Sequence, residues 1–192
     1  MTVLILGLVL FLGAHSARIF ADGWRTSVRA SLGEGAWKGG YSLLSLAGFG
    51  LIVWGFGLAR QAPVVLWVPP MATRHLAGLS MLLSFILLVA AYVPNNGLKA
   101  RVHHPMVLAV KIWAATHLLA NGTLADTVLF GAFLVWAVLD FRSSRQRDRA
   151  AGTVYPPGTA RGTATVVVVG AIAWAVFAFW AHGALIGVQP FG

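Results

Sequence analysis

Three histidines and one lysine lie within or beside a single apolar stretch, RVHHPMVLAVKIWAATHLLANG at residues 101–122. Another histidine, His15, interrupts the apolar run at the N-terminus. Ionisable side chains inside a bilayer are costly, and those found there usually serve ion, proton or ligand chemistry. Two neutral imidazoles from different helices are a common way to hold haem b inside a helical bundle, one on each side of the iron. The alternative is that each histidine is a packing residue hydrogen-bonded to a neighbour.

The ionisable residues of the 101–122 stretch occupy different positions on its predicted helix. His117 shares a stripe with Trp113 at 3.6 residues per turn. His104 precedes Pro105, a favoured first helical residue, so we expect His104 at the cytoplasmic start of this helix. Lys111 lies in the middle of the helix. It is expected to extend toward the interface, to pair with an aspartate of the next segment, or to face a ligand.

Arg18 follows His15 by three residues, and Asp22 follows Arg18 by four. That spacing suits an ion pair along one helix face. An arginine beside a histidine also suits a carboxylate, such as a haem propionate or an acidic headgroup. The small residues around His15 would let another helix or a flat ligand come close.

Membrane helices must position these residues. The chain is 58% hydrophobic and only 10% charged, whereas a soluble domain has about a quarter charged residues. Apolar segments are predicted at 3–20, 40–59, 75–92, 105–120, 124–141 and 164–188. A span needs about 17–25 residues, so the fourth segment is marginal in length. We expect an all-α bundle of about six transmembrane helices forming a single domain over residues 1–192.

The basic residues predict the orientation of the bundle. All lysines and arginines except Arg60, Arg74 and Lys111 lie around the first, third and fifth connections. By the positive-inside rule these connections are cytoplasmic and both termini lie on the other side. The N-terminal apolar run lacks a positively charged start and is interpreted as a retained span. Because the net charge of +9 sits at the ends of apolar runs, we expect no nucleic-acid partner.

The absence of cysteine excludes disulfides, thiolate metal sites, iron–sulfur clusters and covalent c-type haem attachment. The few carboxylates argue against zinc and di-iron centres.

Two motifs carry a family resemblance, LGAHSARIF near the N-terminus and HHPM…KIWAATHLLANG in the fourth segment. With them the chain resembles the NnrU family of bacterial inner-membrane proteins over essentially its whole length. The resemblance implies a location in the bacterial inner membrane and an association with denitrification and nitric oxide metabolism. Respiratory or denitrification membrane proteins are the implied partners.

The chain is also similar to the plant ζ-carotene isomerases, membrane enzymes that use haem b for redox-dependent isomerisation. This similarity implies His15 and His117 as the iron ligands and an apolar lipid or isoprenoid as substrate. Arg18, His104 and Lys111 are further candidates for contact with a propionate or a substrate. The isomerases have a cysteine three residues before the second histidine, where this chain has Ala114. Ligand exchange with that thiolate is therefore unavailable, which argues against carotenoid isomerisation.

The depths of the two predicted ligands differ. His15 lies about five residues from the cytoplasmic end of its segment and His117 about thirteen, a difference of about 12 Å if both helices begin at one level. His104 matches the depth of His15 more simply. The first choice remains the pair His15 and His117, and the second is His15 with His104.

Two other functions fit the sequence. One is a non-catalytic membrane partner or assembly factor of a respiratory complex. The other is a membrane methyltransferase that uses S-adenosylmethionine, since such enzymes open a helix with Arg-His-Pro. In RVHHP the arginine is displaced by two residues. Whether the chain is an enzyme is left open; if it is, electron transfer or redox-gated isomerisation is the expected chemistry.

Overall fold

The computed structural model describes residues 1–191, and this part of the chain is helical without β-strands. The helices are α1 (Thr2–Phe20), α2 (Asp22–Leu32), α3 (Glu34–Ala59), α4 (Met71–Tyr92), α5 (Gly97–Val102), α6 (Pro105–Ala120), α7 (Leu124–Ala151), α8 (Ala160–Val176) and α9 (His182–Ile186). A π-helical turn, Phe177–Ala181, joins α8 to α9.

Six apolar helical segments account for the predicted spans. Five are long and apolar enough to cross a bilayer, with α8, the π turn and α9 together forming Ala160–Ile186. The sixth, α6, is apolar but has only 16 residues, as expected from the short fourth segment. Large apolar side chains cover the outside of the bundle, for example Val9 (64% exposed) and Trp54 (60% exposed). A surface of this kind requires lipid around it, so the predicted multi-pass membrane bundle is confirmed.

Four helices extend several residues beyond the predicted bounds, and α4 and α8 each begin four residues earlier, at Met71 and Ala160. α3 begins at Glu34 instead of residue 40, and α7 continues to Ala151 instead of residue 141. The polar sequence SSRQRDR follows the predicted segment 124–141 and was expected in the fifth connection, but it forms the last turns of α7 because it contains no glycine or proline. The helix ends at Gly152, which adopts a left-handed conformation with φ of 59°.

The helices pack in the order α3, α1, α7, α6, α4 and α8. The contact between α1 and α3 is the closest, because glycines face the partner backbone. A Cβ at Gly7 would lie 2.6 Å from the backbone nitrogen of Ile52, and one at Gly48 would lie 2.7 Å from that of Phe11. Leu4 and Leu8 of α1 also pack in a buried cluster with residues of α7. The contact of α1 with α7 is less extensive than its contact with α3.

The connections gather at two ends of the bundle, as the sequence predicts. At the basic end, the guanidinium of Arg147 donates to the carbonyl of Arg18 (3.3 Å), and the Thr159 amide donates to the carbonyl of Asn95 (2.7 Å). At the opposite end, Arg60 donates to the carbonyl of Ile186 (2.7 Å). The loops therefore segregate by charge, with the basic connections together.

Candidate functional site

His15 lies on α1 among aromatic side chains from three helices. Its imidazole stacks on Phe11 with centroids 4.2 Å apart, and it contacts Tyr41 of α3 (5.2 Å) and Trp136 of α7 (6.1 Å). Its Nδ1 is 2.7 Å from the carbonyl oxygen of Phe11. A carbonyl only accepts, so Nδ1 carries the proton and donates it.

His117 on α6 repeats this arrangement. Its Nδ1 donates to the carbonyl of Trp113 at 2.8 Å, and its ring lies 4.8 Å from Phe130 of α7. In a neutral imidazole whose Nδ1 carries the proton, Nε2 holds a lone pair. Histidines that bind metals are commonly oriented by this kind of hydrogen bond from the other ring nitrogen. His15 and His117 are therefore both in the tautomer that suits ligation through Nε2.

The two imidazoles lie at different levels along α7. His15 contacts Trp136 and His117 contacts Phe130, and six residues of a helix correspond to about 9 Å. Rings fill the space between these levels, since Phe133 packs 5.8 Å from Phe11 and 5.3 Å from Trp113. The depth difference expected from the sequence is thus present in the structure. The second-choice pairing has a similar offset, because His104 contacts Phe141, five residues beyond Trp136.

Two donor groups, one on α7 and one on α3, are buried without a partner among the described residues. They are the indole Nε1–H of Trp136 and the hydroxyl of Ser45, which lies one turn after Tyr41 on α3. Buried polar groups without a hydrogen bond are uncommon, and each is explained by a bound ligand, by a water molecule or by local strain. The donor chemistry at His15 therefore fits a cofactor or ligand that brings acceptor atoms between α1, α3 and α7.

Arg18 and Lys111, the other cofactor candidates, lie outside these ring contacts. The Arg18 Nε is 4.0 Å from Asp22 Oδ1, as the spacing predicts, and its side chain is 58% exposed at the basic end. The Lys111 ammonium lies 4.8 Å from the ring centroid of Phe141, in a cation–π contact. Among the described residues it has no carboxylate within 4.0 Å, and Asp126 instead caps the start of α7 with Thr123.

His104 belongs to a separate cluster at the basic end. It is the N-cap of α6, as predicted from Pro105, and its Nε2 lies 2.7 Å from Asp148 Oδ2. The hydroxyl of Tyr155 donates to the same oxygen at 3.0 Å. Burial and the hydrogen bond to Asp148 raise the pKa of Tyr155, so its hydroxyl stays a donor. Because Nε2 of His104 is engaged by Asp148, His104 is a weaker candidate for iron than His15 or His117.

His103 completes this cluster with a strained backbone. Its φ is 67°, which is uncommon for a residue other than glycine, and it lies in the short turn between α5 and α6. The imidazole stacks on Tyr155 (4.2 Å) and accepts a hydrogen bond at Nδ1 from Arg145. These contacts hold the turn against the end of α7 and the loop after it.

Several residues of both clusters were not predicted from the sequence. Asp148 lies in the predicted fifth connection, and Trp136, Tyr41 and Ser45 lie within predicted spans without a motif that singles them out. Extending the helical period of α7 would have found Asp148, since Ala137, Phe141, Ser144 and Asp148 recur on one face at three- and four-residue intervals. Nothing in the sequence indicates which neighbours would surround His15.

Residues 1–191 contain no group of three or more His, Cys, Asp or Glu side chains placed to hold a metal ion. Haem can be held by only two histidines, so this finding does not test haem binding.

Comparisons with curated proteins and with solved structures find no match. The model of one protein family, described as NnrU protein, matches residues 3–190. That range includes both histidine motifs and all of the membrane helices. The chain therefore belongs to the NnrU family.

Proposed function

We propose that this protein binds haem b within the membrane and that His15 and His117 would hold its iron. The observation that carries the proposal is the shared tautomer of the two imidazoles. In each, Nδ1 donates to the carbonyl one turn earlier, at 2.7 Å for His15 and 2.8 Å for His117, and Nε2 remains free. The two residues belong to helices that flank α7 on neighbouring sides.

Ligation of one iron sets a condition on the packing. One iron held by both residues would require their Nε2 atoms to approach each other. The offset of about 9 Å along α7 would have to be reduced, and the rings of Phe11, Phe133 and Trp113 would have to give way.

Haem b held by two imidazoles would supply one-electron transfer at this site. We propose that the protein resides in the bacterial inner membrane and serves denitrification or nitric oxide metabolism there, through electron transfer or redox-gated isomerisation of an apolar lipid or isoprenoid. Arg18 at the basic end and Lys111 in the middle of α6 offer positive charge for the propionates.

An absorption spectrum of the protein, expressed with ample haem and purified in detergent, tests the proposal. We expect a Soret band with the split α and β bands of low-spin bis-histidine iron after reduction. His15→Ala and His117→Ala should each abolish the low-spin spectrum or change it to a high-spin one. His182→Ala is the matched control, because its Nδ1 also donates to a carbonyl, that of Val188 at 2.7 Å.

The outcomes separate this function from the others. A wild-type protein without a Soret band contradicts haem binding, and capture of a respiratory complex by that protein would then indicate a partner or assembly role. Binding of S-adenosylmethionine by the haem-free protein would indicate a methyltransferase. A spectrum altered by His104→Ala but not by His117→Ala would replace His117 with His104 as the second ligand.

A further inference from the structure

A groove of about 400 Å³ opens on the surface of the bundle at its basic end, where α1, α2 and α3 meet. Its volume is in the range of pockets that hold small molecules. The lining is apolar and consists of small residues of α1 and α3 together with aromatic and aliphatic side chains. Gly13 and Gly40 lie on the two walls, and a Cβ built on either one meets no atom within 4 Å. The groove is therefore open space and not a packing seam.

The short helix α2 forms one side of this groove. Its apolar and basic residues lie on different faces of the helix. Trp24, Val28 and Leu32 recur every four residues and line the groove. Arg25 and Arg29, each one residue later, lie on the adjacent face of the helix. No residue of α2 is buried within the protein. A short amphipathic helix of this composition lies in the plane of the membrane interface.

The rim of the groove carries an excess of positive charge. Four basic side chains share two carboxylates: Arg18 and Arg25 lie 4.0 and 3.4 Å from Asp22, and Arg29 and Lys38 lie 3.3 and 2.7 Å from Glu34. The side chains of Arg18 and Lys38 are 58% and 71% exposed. Two positive charges thus remain uncompensated around the opening and are free to meet an anion.

We propose that the groove is a binding site for an anionic phospholipid, with one acyl chain between α1, α2 and α3 and the phosphate at Arg25 and Arg29. The apolar groove at the membrane interface favours a hydrocarbon chain. Its basic rim favours a negatively charged headgroup over a zwitterionic one. Arginine is suited to this contact because its guanidinium binds phosphate oxygens in pairs. His15 itself does not line the groove, whereas Tyr41, whose ring lies 5.2 Å from that of His15, does.

Native mass spectrometry of the detergent-purified, delipidated full chain tests this site. Phosphatidylglycerol and phosphatidylcholine with identical acyl chains are added at equal concentration, and the lipids retained by each chain are counted. We expect one retained phosphatidylglycerol, favoured over phosphatidylcholine by roughly fivefold for each uncompensated basic residue. The double variant Arg25→Gln, Arg29→Gln should lower this preference to near unity.

Filling the groove distinguishes the site from unspecific lipid adhesion. Gly40→Leu should abolish the retained lipid, whereas Gly50→Leu on the same helix places the same side chain in open space outside the groove and should retain it. Gly13→Leu fills the groove from the opposite wall and serves if Gly40→Leu reduces the yield of folded protein. Equal retention of both lipids, undiminished retention in Gly40→Leu and Gly13→Leu, or a dimer of the chain in place of lipid would each overturn the proposal.

Discussion

His15 and His117 are each oriented by their own helix, because each donates to the carbonyl four residues earlier. This contact depends only on local helical geometry, so the sequence was sufficient to place both imidazoles inside spans. The neighbours of His15 come instead from distant segments, Tyr41 from α3 and Trp136 from α7. No pattern in one sequence fixes which faces of three helices meet, so the aromatic setting of the site could not be predicted.

The unpaired hydroxyl of Ser45 gives a prediction about the ligand-free protein. A buried hydroxyl without a hydrogen bond costs about 1–3 kcal/mol, so Ser45→Ala should raise the melting temperature of the haem-free protein. About 2–4 °C is expected for each kcal/mol in a chain of this length. The measurement is thermal unfolding in detergent followed by circular dichroism. Ser42→Ala on the exposed face of α3 is the control and should leave the temperature unchanged. A decrease in Ser45→Ala would mean that the hydroxyl has a partner.

Asp148 joins three segments of the basic end through one carboxylate. Its Oδ2 accepts from His104 and from Tyr155, and both it and His104 have side chains less than one fifth exposed. Asp148→Asn should lower the melting temperature by an amount corresponding to about 1–3 kcal/mol, because two donors lose a charged acceptor. Arg142→Gln, on an exposed part of the same helix, should have little effect. Equal stability of Asp148→Asn and the wild type would show that water replaces the carboxylate.

Among the elements, the pair α1 and α3 is joined by glycines that allow close backbone contact. A Cβ on Gly55 would collide with the backbone of Leu4, whereas one on Gly57 would meet nothing within 4 Å. Gly55→Ala is expected to destabilise the bundle by about 1–3 kcal/mol. Gly57→Ala should be neutral or slightly stabilising, because alanine is the better helix former. Thermal unfolding of the two variants measures the difference. Similar stability would contradict close packing of α1 on α3.

The spans were predictable as elements because long apolar runs have few alternatives in a bilayer. Their ends were less predictable. The polar end of α7 continues a helix that composition alone suggests should stop, and α2 lies in a stretch whose charges indicate only a connection. The period of Trp24, Val28 and Leu32 was the available signal for α2. Three apolar residues at four-residue spacing predict an amphipathic helix only weakly in a segment of 11 residues. The structure shows that these three residues line the groove.

For the whole molecule, the arrangement of charge links the sequence to the position in the membrane. The basic connections lie together at one end of the bundle, and the first and last helical segments begin and end at the other, near Arg60, without lysine or arginine. Contacts within the chain show that these connections meet. The same contacts would form whichever side of the membrane the basic end faced. That side follows only from the positive-inside rule.

Because the chain contains no cysteine, single cysteines report this orientation directly. Gln61→Cys lies at the end with the termini and Ala151→Cys at the basic end, and both positions are exposed. In spheroplasts of a bacterial host, a membrane-impermeant maleimide should label Gln61→Cys at once and Ala151→Cys only after permeabilisation. The unmodified chain is the control and should take up no label. Labelling of Ala151→Cys in sealed spheroplasts, with protection of Gln61→Cys, would reverse the topology and place the lipid groove of α2 in the outer leaflet.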